Sequence, residues 1–452
     1  MNISEKYKDK KVAVLGFGLE GQATFEYLAR NGINAKICDQ LNLADFIERN
    51  PRYRDCDLLL GEKYLNSLGD FDFVFKTPGI SPLLPEIKIA EKQGTVFTSQ
   101  IEEFFDLCPV PIIGVTGTKG KGTTSTLIYD MLKNAGRDAY LGGNIGIPAI
   151  SFLDDLKENS IVVLELSSFQ LQVLRKSPQI AVLLNVTSEH LDYHQDTAEY
   201  REAKANILKY QKSEDFALIN ADYEVSLEMA KVSKAKKLYF SRYKEVNGCY
   251  VNDNDEIVLN YDESERVLAG ASELKLRGRH NLENATAAAL AASVAGVSAD
   301  VATYTLVNFT GLEHRLELVR EVNNVKYYND SFSTVPETAI AAIDSFSEPV
   351  VLIAGGSSKK SDYTELGKKI AASNVKAIIL IGDTAEEIKA SIPSFEGEIV
   401  LGLTRMSDVV AKAAQIAEIG DVILLSPASA SFGLFTNYKD RGDQFKNSVF
   451  EQ

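Results

Sequence analysis

Along most of the chain, short solid runs of apolar residues alternate with stretches in which apolar positions recur every three or four residues. Runs of the first kind, closed by turn residues, predict strands buried on both faces; stretches of the second kind predict helices laid over them. "KVAVLGFG" (11–18), "AKICD" (35–39) and "FDFVFKTPG" (71–79) give three strands in the first hundred residues. A proline-marked junction, "LCPVPIIGVTG" (107–117), starts a new series at about Pro111, continued by "SIVVLELSS" (160–168) and "IAVLLNVTSEH" (180–190). Residues 231–273 are more polar, and "GCYVNDNDEIVLNY" within them predicts a small antiparallel insertion. "HNLENATAAALAASVAG" (280–296) predicts an alanine-rich helix with a glycine stop. A third series follows "LEHRLELV": "VKYYNDS", "PVVLIAGG", "AIILIGD" and "GDVILLSPAS". The alternation predicts an α/β protein of three domains, residues 1–98, 99–311 and 312–452.

Composition narrows the class. At 452 residues the chain exceeds one ordinary core, in keeping with several domains. Lys and Arg number 48 against 63 Asp and Glu, a net charge of −15, so no nucleic-acid or acidic-membrane partner is expected. Cys38, Cys56, Cys108 and Cys249 form no CxxC pair, which argues against a zinc site or a disulfide framework. The polar start "MNISEKYKDK" gives no secretory signal, and no apolar run reaches membrane-spanning length. A soluble cytoplasmic protein is expected.

Two glycine-rich loops carry candidate chemistry. Gly16, Gly18 and Gly21 keep the G-x-G-x-x-G spacing of a strand-to-helix turn that holds a diphosphate, and Asp39 closes the next strand, 18 residues past Gly21. Alone, this loop fits an NAD-dependent oxidoreductase, or simply a helix packed closely on a strand. It speaks for an anion more securely than for a dinucleotide. The second loop, "GVTGTKGKGTTS" (114–125), is more specific: strand, then Gly117, Thr118, Lys119, Gly120 and Lys121, then helix. Backbone N–H groups of such a loop cradle phosphates while a lysine reaches the terminal ones. Val115 stands where a general P-loop has glycine, and Gly122 where it has a hydroxyl for Mg²⁺, so Thr123 or Thr124 is expected to serve. Glu165 and His190 end apolar strands, where parallel sheets collect functional groups. His190 and His194 stand at i, i+4, but without H-E-x-x-H a zinc pair is not predicted.

Taken together, "GVTGTKGKGTT", "GGNIGIP", "ELSSFQL", "NVTSEHLDYH", "EYREAKANI", "GRHNLENATAA", "EHRLE", "NDSFSTVPE" and "LLSPASASFGLF" resemble, in that order and over nearly the full length, the Mur ligases. The short chain, "GFGLEGQA" and "SPASASFGLFTNYKDRGDQF" are similar to the members that add D-glutamate to UDP-N-acetylmuramoyl-L-alanine. The resemblance implies a Rossmann-like UDP-binding domain, a P-loop-type ATPase domain and a Rossmann-like C-terminal domain. The sugar nucleotide would meet Gly18, Leu19, Glu20, Asp39, Thr77, Pro78, Gly79, Asn144 and Ser167, with the backbone N–H groups of Leu19 and Glu20 facing its diphosphate. ATP would meet residues 117–124, with Lys121 on its phosphates, and Asn281, Asn284, Arg315 and Asp330. Two Mg²⁺ ions would use Thr123, Glu165, His190 and Lys204, the last as N6-carboxylysine. Read without the family, Lys204 would be an exposed helix lysine. Glutamate would meet Thr334, Lys359, Ser431, Phe432 and Tyr438. Two departures stand near the reaction centre: Phe332 where the family has lysine, and "GGSSKK" for Gly-Gly-Asp-x-Lys.

The implied chemistry is activation of the L-alanine carboxylate as an acyl phosphate, attack by the glutamate amine and loss of phosphate, within peptidoglycan precursor synthesis. Lys121, His190 and Lys204 would be the catalytic group, with His190 as a metal ligand. A monomer is expected, with closure of the C-terminal domain about residues 313–316. L-Glutamate or another amino acid remains an alternative, and folylpolyglutamate synthetase, which shares the ATPase domain, is disfavoured by the leading UDP-type loop.

Overall fold

The computed structural model describes residues 3–187, 196–262, 264–276, 278–358 and 361–452. Its first sheet is all parallel, in the order Leu58–Leu60, Ala35–Asp39, Val12–Leu15, Phe73–Lys76, Val96–Thr98. Strand order reverses at Val12–Leu15, so a crevice opens at its C-terminal end, between the turns that follow Leu15 and Lys76. The two edge strands are absent from the sequence reading. Each has three residues, none of them buried, too few to set a hydrophobic period.

The second sheet has nine strands. Asp138–Gly143, Ser160–Glu165, Ile112–Thr116, Ile180–Leu183, Phe216–Asn220, Lys236–Ser241 and Gly248–Val251 run parallel in that spatial order. Glu256–Tyr261 and Ser264–Gly270 then add antiparallel at the edge, the expected insertion. Its turn is held by Asn252, whose side-chain oxygen accepts from the backbone N–H of Asn254 and Glu256 at 3.0 Å each. Ile112–Thr116 and Ser160–Glu165 are buried at every position because helices cover both faces, which explains their unbroken apolar character. One apolar cluster runs from the first sheet (Val14, Phe17, Ile37) through Ile101 and Phe104 of the helix Gln100–Leu107 to the second (Val162, Leu164, Leu183). Residues Met1–Ala271 and Glu283–Leu306 accordingly form one compact unit.

Ser272–Leu282 and Val307–Gln452 form the other. Its six-stranded sheet has the order Glu317–Val322, Val325–Asn329, Val422–Leu425, Val350–Gly355, Val375–Ile381, Glu398–Val400, with only the first pair antiparallel. One face packs on Pro336–Ile343, Thr364–Ala372 and Ala385–Ser391, the other on Met406–Ile416 and Tyr438–Phe450. The turn 313–316 is knitted into this unit. Glu313 pairs with Lys446 at 2.7 Å, His314 N donates to Glu317 at 2.9 Å and Leu316 N to Asp330 at 3.2 Å. Among the described residues no helix is long and apolar enough to cross a membrane.

Candidate active site

The first glycine loop is shaped by close approach at two glycines and open at the third. A Cβ on Gly21 would stand 2.0 Å from the Gly16 carbonyl oxygen, and one on Gly16 (φ +86°) 2.2 Å from Thr77 Oγ1. Nothing lies within 4 Å of the equivalent point on Gly18, the N-cap of the helix Leu19–Arg30. The helix N-terminus therefore faces open space beside the crevice, with its unpaired N–H groups and positive dipole end. Leu19 is exposed there. Asp39 is buried and accepts from Phe17 N at 2.7 Å and Leu41 N at 3.0 Å, bracing the loop. Thr77 bonds back to Leu15 O at 3.1 Å, while Pro78 and Gly79 form the opposite lip. Lys76, not singled out from the sequence, is buried behind that lip; Nζ donates to Ile80 O at 2.7 Å, and burial brings its ammonium down to about 8 against the pull of Glu20.

Several predicted groups come together at the end of Ile112–Thr116, the third strand from one edge of the second sheet. Gly120 (φ +85°) caps the helix Lys121–Asn134, and a Cβ there would meet Asn284 Oδ1 at 2.2 Å. Lys121 Nζ donates to the loop's own carbonyls, Thr118 O at 2.9 Å and Gly117 O at 3.1 Å. Lys119 is exposed and Gly122 buried. Thr118 is turned inward: its N–H donates to Asn185 O at 2.7 Å and its hydroxyl pairs with Tyr200 Oη at 3.0 Å. Thr124 is fully buried with its hydroxyl on Asn284 at 3.4 Å, whereas Thr123 is half-buried, so of the two Thr123 is placed to meet a ligand. Glu165 is buried at the end of the neighbouring strand, and its Oε1 accepts from Asn144 Nδ2 at 2.9 Å. Ser167, two residues on, caps the next helix in a reciprocal pair with Gln170.

Lys204 is the departure from a family-blind reading. It is buried, not exposed, with Nζ 2.9 Å from Gly117 O, 3.5 Å from Thr116 Oγ1 and 4.8 Å from the centre of the Tyr200 ring. Helix Thr197–Lys209 thus delivers an amine to the base of the phosphate loop. His190 and His194 lie outside the described residues. Hydroxyl and carboxylate oxygens at this loop, Thr123 and Glu165, are the hard donors that Mg²⁺ takes, so the residues present fit that ion.

In the C-terminal unit, Asp330 ends the strand Val325–Asn329 and is fully buried. It accepts from Ser426 Oγ at 2.8 Å, from the Ser333 hydroxyl and from Leu316 N at 3.2 Å. Burial pushes its carboxyl up to about 6, with those donors and Arg315 opposing. The Arg315 guanidinium lies 3.9 Å from the Phe332 ring centre, and Phe332 meets Tyr438 edge-on at 5.0 Å. Thr334 is half-buried, Ser431 buried and Phe432 exposed. Asn281 is buried in the first turn of the helix His280–Val294. Lys359 lies outside the described residues. Arg441 is a further residue that sequence reasoning missed: wholly buried, it donates to Ser331 Oγ and O at 2.9 Å and to the carbonyls of Ser429 and Ala430 at 3.1 and 3.3 Å. It binds the loop after Asn329 to the loop that carries Ser431. Its place inside "NYKDRGDQF" gives no hydrophobic pattern that would betray burial.

A glycine loop opening onto a helix N-terminus at one parallel sheet, and a P-loop-like turn with acidic and lysyl neighbours at the next, are features of a nucleotide-binding α/β protein. Family models match accordingly: a MurD-like Mur ligase N-terminal domain over residues 10–99, a Mur ligase middle domain over 115–292 and a Mur ligase glutamate ligase domain over 314–429. The chain belongs to the Mur ligase family. It is 42% identical to the UDP-N-acetylmuramoylalanine–D-glutamate ligase of Acetivibrio thermocellus, over 99% of this chain and 98% of that protein. It is 39% identical to the ligase of the same name from Clostridium botulinum strain Langeland, over 98% of each. Solved structures share the fold: UDP-N-acetylmuramate–alanine ligase MurC of Thermotoga maritima (TM-score 0.60, 18% identity, 98% of this chain and 99% of that one) is one. MurF ligase of Thermotoga maritima in complex with ADP (TM-score 0.58, 18% identity, 100% and 97%) is another.

Proposed function

We propose that this Mur ligase joins D-glutamate to UDP-N-acetylmuramoyl-L-alanine at the expense of ATP, as a cytoplasmic monomer in peptidoglycan precursor synthesis. The observation that carries the reading is the buried Lys204 amine at the foot of the phosphate loop, 2.9 Å from Gly117 O, in a unit that also holds a separate diphosphate cradle. Two nucleotide sites of different design suit an enzyme that takes one nucleotide as phosphoryl donor and another as a handle on its acceptor.

On this reading the UDP group lies at the first crevice, its diphosphate on the N–H groups of Leu19 and Glu20, with Asp39, Thr77, Pro78 and Gly79 around the nucleotide and Asn144 and Ser167 further along the substrate. ATP lies on residues 117–124, with Asn284 of the same unit beside them. Lys121 then leaves the loop carbonyls for the terminal phosphates, where it offsets the negative charge that gathers in phosphoryl transfer. The L-alanine carboxylate oxygen attacks the γ-phosphorus, ADP leaves, and the acyl phosphate forms. The glutamate amine, held by Thr334, Lys359, Ser431, Phe432 and Tyr438, attacks the acyl carbon, loses a proton and expels phosphate. Thr123, Glu165, His190 and a carbamate on Lys204 would hold two Mg²⁺ ions, which supply charge neutralisation at the phosphates. Carbamylation turns the buried ammonium into an anionic oxygen donor, a form better matched to a hard cation than the amine is.

The test is phosphate release from ATP with UDP-N-acetylmuramoyl-L-alanine, Mg²⁺ and bicarbonate, comparing D-glutamate, L-glutamate and no amino acid. Release that needs D-glutamate and falls in bicarbonate-free buffer is expected. Release with L-glutamate alone would replace the amino acid, and silence in every arm would overturn the reading.

A further inference from the structure

Two glutamines beside the diphosphate helix are each pinned by a backbone N–H, and that fixes what they demand of Glu20. Gln100 Oε1 accepts from Ile150 N at 3.2 Å, and Gln170 Oε1 from Ser167 N at 3.0 Å. A backbone N–H can only donate, so each side-chain oxygen is committed and each Nε2 is turned outward. Both Nε2 groups converge on Glu20: Gln170 donates to Oε1 at 2.8 Å and Gln100 to Oε2 at 3.2 Å. A carboxylate satisfies two fixed donors, whereas a glutamine there would set its own N–H₂ against one of them. The segments so joined surround the proposed substrate path. Glu20 lies in the first turn of Leu19–Arg30, Ile150 follows the Asn144 loop, and Ser167 and Gln170 form the cap just after Glu165.

We infer that Glu20 is a positioning residue: its side chain registers the diphosphate cradle against the strand end that carries Glu165. It thereby sets where the far end of a UDP-linked substrate falls relative to the phosphate loop. The inference rests on the reaction proposed above. Contacts to the diphosphate would come from backbone N–H groups, which a substitution at Glu20 retains; what is lost is registration. Binding energy from a remote group speeds a reaction only when it is spent on orientation, and a misplacement of about 1 Å can cost on the order of 100-fold in rate.

The experiment compares wild type, Glu20→Gln and the swapped pair Glu20→Gln/Gln100→Glu. In the swap the new amide oxygen accepts from Gln170, its N–H₂ donates to the new carboxylate at position 100, and that carboxylate still accepts from Ile150 N. The dissociation constant of UDP alone is expected to stay within about threefold in all three. The rate of phosphate release with saturating substrates is expected to fall roughly 10- to 100-fold in Glu20→Gln and to recover in the swap. A single variant as fast as wild type, or a swap as slow as the single variant, would overturn the role. Amide exchange gives an answer that needs no turnover: UDP should slow exchange at residues 167–170 in wild type and swap but not in Glu20→Gln, and equal slowing would count against it. A wild type that releases no phosphate would remove the ligase reading, and the exchange result would still decide the part played by Glu20. Should Glu20→Gln fail to fold, Gln100→Ala deletes one of the two bonds; a partial loss of rate with unchanged UDP affinity is expected, and full rate would overturn the proposal.

Discussion

Asp330 is a carboxyl group enclosed on every side, and its titration gives the clearest prediction at the scale of one residue. Its ordinary value of 3.8 rises to about 6 in the folded chain because burial disfavours the charge. The unfolded chain therefore gives up this proton first as pH rises. The protonated group favours the fold below about pH 4, and that contribution is lost as pH climbs through 6. Replacing it with asparagine removes the titration, so the stability difference between wild type and Asp330→Asn is expected to change by roughly 2.5 kcal/mol between pH 4 and 7. Urea unfolding of the full chain across that range measures it, and a difference that stays flat would show that Asp330 keeps its ordinary titration. The sequence offered this residue only through family likeness. Nothing in "NDSFSTVPE" says that Ser333, Ser426 and Leu316 N close around it, because those partners are set by tertiary folding. Phe332, by contrast, stands out in sequence as a replaced lysine, and the structure gives it a place, stacked under Arg315 and edge-on to Tyr438.

At the scale of the element, the first glycine loop separates packing from binding. Gly21→Ala would drive a methyl into the Gly16 carbonyl at 2.0 Å and is expected to destabilise the unit by about 1–3 kcal/mol. Gly18 has an ordinary φ of −73° and open space where a Cβ would stand. Gly18→Ala should therefore leave the melting temperature nearly unchanged while weakening UDP binding about tenfold or more, since the methyl occupies the approach to the helix N-terminus. Calorimetric titration with UDP alongside thermal melting reads both; full affinity in Gly18→Ala would mean that the loop does not hold the diphosphate. The spacing of these glycines was plain in sequence. Which two serve packing and which one leaves room was not, because that depends on Thr77 arriving from a distant strand. The long buried strands were equally plain, whereas Leu58–Leu60 and Val96–Thr98 were too short to show a period.

For the molecule as a whole, legibility followed chemistry more than shape. Three successive α/β series, the phosphate loop and the strand-end Glu165 could be read directly from residue order. The buried Lys204 and the wholly enclosed Arg441 could not, because the helices Thr197–Lys209 and Tyr438–Phe450 present them as ordinary surface charges in sequence. The central claim is that ATP activates the substrate carboxylate, and oxygen transfer tests it most directly. UDP-N-acetylmuramoyl-L-alanine labelled with ¹⁸O in its terminal carboxylate is incubated with the protein, ATP, Mg²⁺ and D-glutamate, and the released phosphate is analysed by mass spectrometry. An acyl phosphate carries the bridging carboxylate oxygen away with phosphorus, so one ¹⁸O per phosphate is expected, matched by amide product. Phosphate free of label alongside amide product would contradict the account, since ATP would then be cleaved by water and the carboxylate activated in some other way.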